Sequence, residues 1–204
     1  MAINLVKGQR VEIGLSKLKV ELGWKVNPNA KPPYDLDAST FLLNAKGEIG
    51  AENDFVFYGS SKYIETPDGK RPISVDGSVL GSVDDLGDDD DDTGEGHEEI
   101  DVDLTKTSPS VEQILFTATI YWKKGDPTEK YNFGQVRDAY ISIKNALNDE
   151  ELCRYDLDED FSTEKGVEFG RLYRRNGSWK FEAIGIGYTD GLEPICRKYA
   201  SKFM

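Results

Sequence analysis

The chain has 204 residues and a formal net charge of −13, from 38 acidic against 25 basic side chains. A surface of that sign repels phosphate backbones and anionic headgroups, which excludes nucleic acid and membrane surfaces as first choices of partner. Apolar residues make up 38% and aromatic residues 11%, the composition of a folded chain. The length suits a single domain, 1–204, that buries its core without staples. Cys153 and Cys196 lie in unrelated segments and read as reduced thiols. The first residues lack a basic, then apolar, leader. No apolar run approaches the ~18 residues of a membrane span, so the expectation is a cytoplasmic chain that is not itself a membrane protein.

Strand periodicity dominates. Leu18, Val20, Leu22 and Trp24 alternate with Lys17, Lys19, Glu21 and Lys25, a strand with one wet face. Residues 60–77, with Pro67, Asp68-Gly69 and Pro72, form an excursion that reads as a surface loop or small hairpin. A second excursion, the acidic stretch from Asp84 to Glu99, leads into Ile100, Val102 and Leu104, alternating with Asp101 and Asp103. Ile114 to Trp122 is apolar on one face and mixed on the other, as a central strand would be. In Asn132-Phe133-Gly134, Gly134 makes a tight turn with Phe133 packed beneath it. Asn148-Asp149 turns a hairpin between Tyr140–Ile143 and Leu152–Tyr155. Asn176-Gly177 supplies the two φ > 0 positions of a type I′ turn between Arg171–Arg175 and Ser178–Glu182, leaving Arg174 and Arg175 solvated beside it. After Asp190, a plausible N-cap, Leu192, Ile195, Cys196 and Tyr199 recur at helical spacing. The fold class expected is mainly all-β: a two-sheet antiparallel β-sandwich with a short C-terminal helix and long acidic loops.

The acidic stretch contains Asp88 to Asp92 without a break, then Thr93-Gly94-Glu95-Gly96-His97-Glu98-Glu99. Like charges this close repel. Either solvent screens them or a cation collects them, and both readings stand on composition. Ca²⁺ takes six to eight hard oxygens in flexible geometry, which clustered carboxylates and glycine-freed carbonyls supply. An EF-hand does not fit: Thr93 stands where its glycine belongs, and a strand follows instead of a helix. Asp35 and Asp37 are two apart, so in a strand they would share a face and repel unless a cation sat between them. Asp54, opening Asp54-Phe55-Val56-Phe57-Tyr58, is a similar strand-entry carboxylate. Each of these admits the plainer reading of a turn or capping aspartate.

Leu22-Gly23-Trp24, Asp35-Leu36-Asp37-Ala38-Ser39, Phe41-Leu42-Leu43-Asn44, Asp54 to Tyr58 and Thr93 to Leu104 follow in order along the chain. They continue with Asn132 to Arg137, Arg154 to Leu157, Asp160 to Glu164 and Leu172 to Phe181. Together these segments resemble the tellurite-resistance TerD family, nearly end to end. The resemblance implies a β-sandwich that binds calcium, as two ions, through acidic loops. It also implies a role in resistance to tellurite and related stresses, no established catalysis, and partners among other tellurite-resistance proteins, a membrane partner included. It assigns metal ligation to Asp35 and Asp37 by the Asp-Leu-Asp motif, and to Asp91, Asp92, Glu95 and Glu98 by the Gly- and Asp-rich loop. The chain departs from the family's pattern in its extra Asp run before Thr93, in His97-Glu98 where paired aspartates are usual, and in a longer segment from Tyr63 to Gly77.

Rival classes find less support. His97 is the only histidine and lies in the acidic stretch, where a triad has no evident nucleophile. One histidine and two separated cysteines do not make a zinc tetrahedron. The expectation is a non-catalytic module. A calcium-dependent interaction scaffold, or a small-ligand (nucleotide) binder without a resistance role, stays open beside it.

Overall fold

The computed structural model describes residues 2–25, 29–31, 34, 36–83, 95–157 and 161–204, with Glu95 described in its backbone alone. The strands in chain order are β1 (Ile3–Leu5), β2 (Arg10–Ile13), β3 (Lys17–Lys25), β4 (Leu36–Leu43), β5 (Phe55–Val56), β6 (Tyr63–Thr66) and β7 (Gly69–Pro72). They continue with β8 (Val79–Leu80), β9 (Glu95–Asp103), β10 (Gln113–Ile120), β11 (Arg137–Asn145), β12 (Glu151–Asp156), β13 (Gly166–Arg175) and β14 (Ser178–Tyr188). One helix, α1 (Leu192–Tyr199), follows. Two six-stranded sheets form, ordered β1-β12-β11-β3-β9-β8 and β2-β14-β13-β10-β4-β5. All pairings are antiparallel except β1 with β12. The mainly all-β sandwich is therefore the architecture of the chain.

Alternation explains the packing. Leu18, Val20 and Leu22 of β3, with Ile100 and Val102 of β9, are all but fully buried between the sheets. Burying each such side chain contributes about 1.5–3 kcal/mol. β10 is central, between β13 and β4, and is buried on both faces. Ile114, Phe116 and Ala118 face the other sheet, whereas Leu115 joins Phe41, Leu43 and Ile49 beneath Ile195 of α1. This outer layer is closed by a polar latch. Glu168 is 1% exposed, and its Oε1 accepts from the hydroxyls of Tyr188 and Tyr199 and from Lys198 Nζ.

The turns behave as their residues dictate. Asn176 (φ 54°) and Gly177 (φ 79°) join β13 to β14, with Arg175 opposite Ser178. Asp149 (φ 55°) lies in the loop joining β11 to β12. The excursion within 60–77 is a small hairpin, β6 with β7. Phe133 is buried in a 3₁₀ turn, and a Cβ on Gly134 would lie 2.8 Å from Ser162 Cα.

Two expectations are corrected. The N-cap of α1 is Gly191, at φ 69°, and not Asp190, because the chain enters the helix through a left-handed residue and no side chain caps it. Arg174 is not solvated. Its guanidinium donates to the carbonyls of Val111 (3.0 Å), Thr107 (3.1 Å) and Ser108 (3.2 Å) and stacks 4.7 Å from the Trp179 ring centroid. A planar fork of donors suits a loop whose carbonyls lack a strand partner.

Cys153 is buried and Cys196 half-buried. Burial foremost, with Glu151 beside it, pushes Cys153 up to about 12; burial, with Glu193, pushes Cys196 up to about 11. The nucleophilic thiolate is therefore scarce in the native state at neutral pH. At pH 8 a thiol reagent should modify Cys153 only as the chain unfolds, and Cys196 far more slowly than in denaturant. Mass-spectrometric labelling rates, native against denatured, check this; equal rates would contradict it.

Candidate functional site

The β-ladders bring the acidic segments to one end of the sandwich. Lys25, the last residue of β3, stands opposite Glu95 of β9 and Arg137 of β11. Leu36, the first residue of β4, stands opposite Ile120 of β10. In sequence, residues 84–94 fall between β8 and β9. Two strands flank them, which agrees with the rejection of an EF-hand.

Of the residues expected to hold metal, Asp37 and Glu98 are brought together. Glu98 lies opposite Leu22 and shares the parity of Ile100 and Val102, and it is only 7% exposed. Asp37 lies opposite Thr119 and is half-buried. The two carboxylates line one narrow cleft with Tyr58, Gly81, Ser82 and Pro72. Its free volume is about 10 Å³, on the scale of a single water or a bare cation. Hard oxygens are the donors on offer there, as Ca²⁺ requires. Among the described residues no group of three or more His, Cys, Asp or Glu is placed to hold a metal. Asp35, Asp91 and Asp92 lie outside the described residues, and so does the side chain of Glu95.

Asp54 is not brought to them. β5 sets Phe55 opposite Phe41 and Val56 opposite Thr40, so Asp54 falls about 17 Å along β4 from Asp37 at ~3.3 Å per residue. Its Oδ2 instead accepts the Ala51 N–H at 3.0 Å, closing a turn. Burial pushes its carboxyl up, the Ala51 bond opposes this, and the charge of Asp76 adds to the rise. Asp76 itself is committed to Ser74 Oγ, the Ser78 amide and the Ser108 amide.

His97 was expected in a loop and stands instead on β9, exposed, opposite Gly23. It lines a broader cleft of about 650 Å³ at the same end, with Trp24, Tyr140 and Arg154. Two glycines make that surface. A Cβ on Gly23 would lie 2.3 Å from the Tyr140 ring, and one on Gly96 would lie 2.4 Å from the Trp24 indole, so both rings lie flat on the sheet. The Arg154 guanidinium lies 3.4 Å from the Tyr140 centroid. The acids there are paired: Glu21 with Lys144 and Tyr140, Asp138 with Lys25, Asp156 with Arg154. Burial first, and then the bond to Glu21, push the Tyr140 hydroxyl up to about 12.

Comparison with known proteins accords with this architecture. The TerD domain matches residues 1–199. The chain belongs to the TerD family. It is 41% identical to general stress protein 16U of Bacillus subtilis (strain 168), over 98% of this chain and 97% of that protein. It is 37% identical to tellurium resistance protein TerD of an Alcaligenes species, again over 98% and 97% of the two chains. A crystal structure of a homologue of telluride resistance protein (TerD) from Streptomyces coelicolor A3(2) shares the fold, with a TM-score of 0.63 at 18% identity, over 92% of this chain and 98% of that one. No helix among the described residues is long and apolar enough to cross a membrane.

Because the folded pKa of Asp54 is raised, its ionised form weakens the fold, and the contribution of this group to stability falls as pH rises from its ordinary range through the raised value. Asp54→Asn keeps the acceptor for Ala51 and removes the charge facing Asp76. Melting at pH 7 in chelator should therefore stay within ~1 kcal/mol of the unsubstituted chain or rise, and cation binding should be unaltered. A lost binding signal would return Asp54 to the ligand set.

Proposed function

We propose that this chain is a calcium-binding stress-response protein of the tellurium-resistance kind, acting as a non-catalytic binding module. The observation that carries the calcium reading is the convergence of Asp37, from one sheet, and the buried Glu98, from the other, on a cleft the size of one ion. Asp35, Asp91, Asp92 and Glu95, which the family motifs single out, are candidates for the oxygens that complete the shell. When bound, the ion would supply positive charge to carboxylates that otherwise repel. The names of the relatives support the stress-response part of the reading. The non-catalytic part is supported by thiols held protonated and by a broader cleft whose acids are paired with Lys, Arg or Tyr.

Calorimetric titration of the metal-stripped chain with Ca²⁺, with melting followed in parallel, tests the proposal. A ligand that binds only the folded state stabilises it by about 2.7 kcal/mol at a hundredfold excess over Kd. Saturable heat and a matching rise in Tm are expected. Asp37→Asn and Glu98→Gln should each weaken binding by about tenfold or more, since each removes a charged ligand. If both variants bind as tightly as the unsubstituted chain, the cleft is not the site. If the unsubstituted chain gives neither heat nor stabilisation, the calcium reading fails.

A further inference from the structure

The surface hairpin β6–β7 buries an arginine. Arg71 is 6% exposed. Its Nε donates to the Gly81 carbonyl at 2.6 Å. Its Nη2 donates to the carbonyls of Glu99 at 3.0 Å and Leu80 at 3.4 Å, and its Nη1 to Asp101 Oδ2 at 2.7 Å. These acceptors fall into two groups. Leu80 ends β8 and Gly81 follows it, before residues 84–94 in sequence, and Glu99 and Asp101 belong to β9, which comes after them. One guanidinium therefore bridges both roots of the acidic segment. Next to it, the Pro72 carbonyl accepts the Gly81 N–H at 2.8 Å, and Pro72 lines the cleft of Asp37 and Glu98. A Cβ on Gly81 would lie 2.7 Å from Pro72 Cγ, so the hairpin and the root are in close contact.

We propose that Arg71 is a positioning residue for cation binding: it holds the two roots of the acidic segment at a set spacing, so that Glu98 and its neighbours are in place before an ion arrives. This rests on the calcium reading above. The run from Asp84 to Asp92 between those two roots carries seven aspartates in sequence. Arg71 ties the β8 side of the cleft to β9 with a planar fork aimed at three carbonyls and a carboxylate, a pattern a lysine ammonium does not reproduce. A pre-ordered site binds more tightly because less order must be created on binding.

The test compares Arg71→Gln and Arg71→Lys with Arg174→Gln. Arg174 also clamps three loop carbonyls, but far from the cleft, so its loss reports destabilisation alone. Each variant is titrated with CaCl₂, melted in chelator, and followed by hydrogen exchange at the Gly81 and Glu99 amides in chelator. Arg71→Gln should weaken calcium binding by about 10–100-fold, the range for residues that orient metal ligands. Arg71→Lys should fall between it and the unsubstituted chain, and the Gly81 and Glu99 amides should exchange faster in both. Arg174→Gln should lower Tm and leave Kd unchanged. If Arg71→Gln does not fold, Asp101→Ala removes one of the four contacts and should weaken binding severalfold. Folded Arg71 or Asp101 variants with unchanged Kd overturn the inference alone, as does an equal loss in Arg174→Gln. An unsubstituted chain that does not bind calcium overturns the calcium reading and this inference with it.

Discussion

Nine register pairs join β3 to β9 without a break, from Lys17 opposite Asp103 to Lys25 opposite Glu95, and the arrangement of the acidic end depends on that ladder. Side-chain period in a strand is two, so a slip of one residue would turn Glu98 to solvent and Glu99 into the core. Ile100 and Val102, fixed against Val20 and Leu18, prevent the slip. The hydrophobic pairs deeper in the sheet thus decide which carboxylate is buried at its end. Core packing therefore sets which carboxylate stands in the cleft with Asp37.

Cations in this acidic chain are used for particular tasks. Arg71 and Arg174 each collect three backbone carbonyls. Arg10 and Arg171 grip the two oxygens of Glu182; burial pushes that carboxyl up, but the two guanidinium bonds hold it below its ordinary value. Lys198 pins α1 over Glu168. These are brackets between segments distant in sequence. They hold the loops and the helix onto the sandwich.

Local rules made much of this legible in the sequence. Asn176-Gly177 specifies its hairpin because two positive φ values in succession demand such residues, and alternation reveals β3, β9 and β10 because burial follows the pleat. Glu98 entered the ligand set through a family motif. Asp54 illustrates the limit: a strand-entry aspartate looks the same whether it ligates or closes a turn, and only the pairing of β5 with the far half of β4 separates it from Asp37. Arg71, in Lys70-Arg71-Pro72, carries no local sign that it is buried.

The sequence by itself therefore determined the strand-rich sandwich, its hairpins, the terminal helix and the acid-rich character of one connection, since each follows from residues within a few positions of one another. Tertiary structure alone decided that Asp37 and Glu98 share a cleft, that Asp54 does not, and that Arg71 spans both roots of the acidic segment. Those facts depend on the register and stacking of strands distant in sequence, where contacts are set by the sum of many burials and no local pattern encodes them.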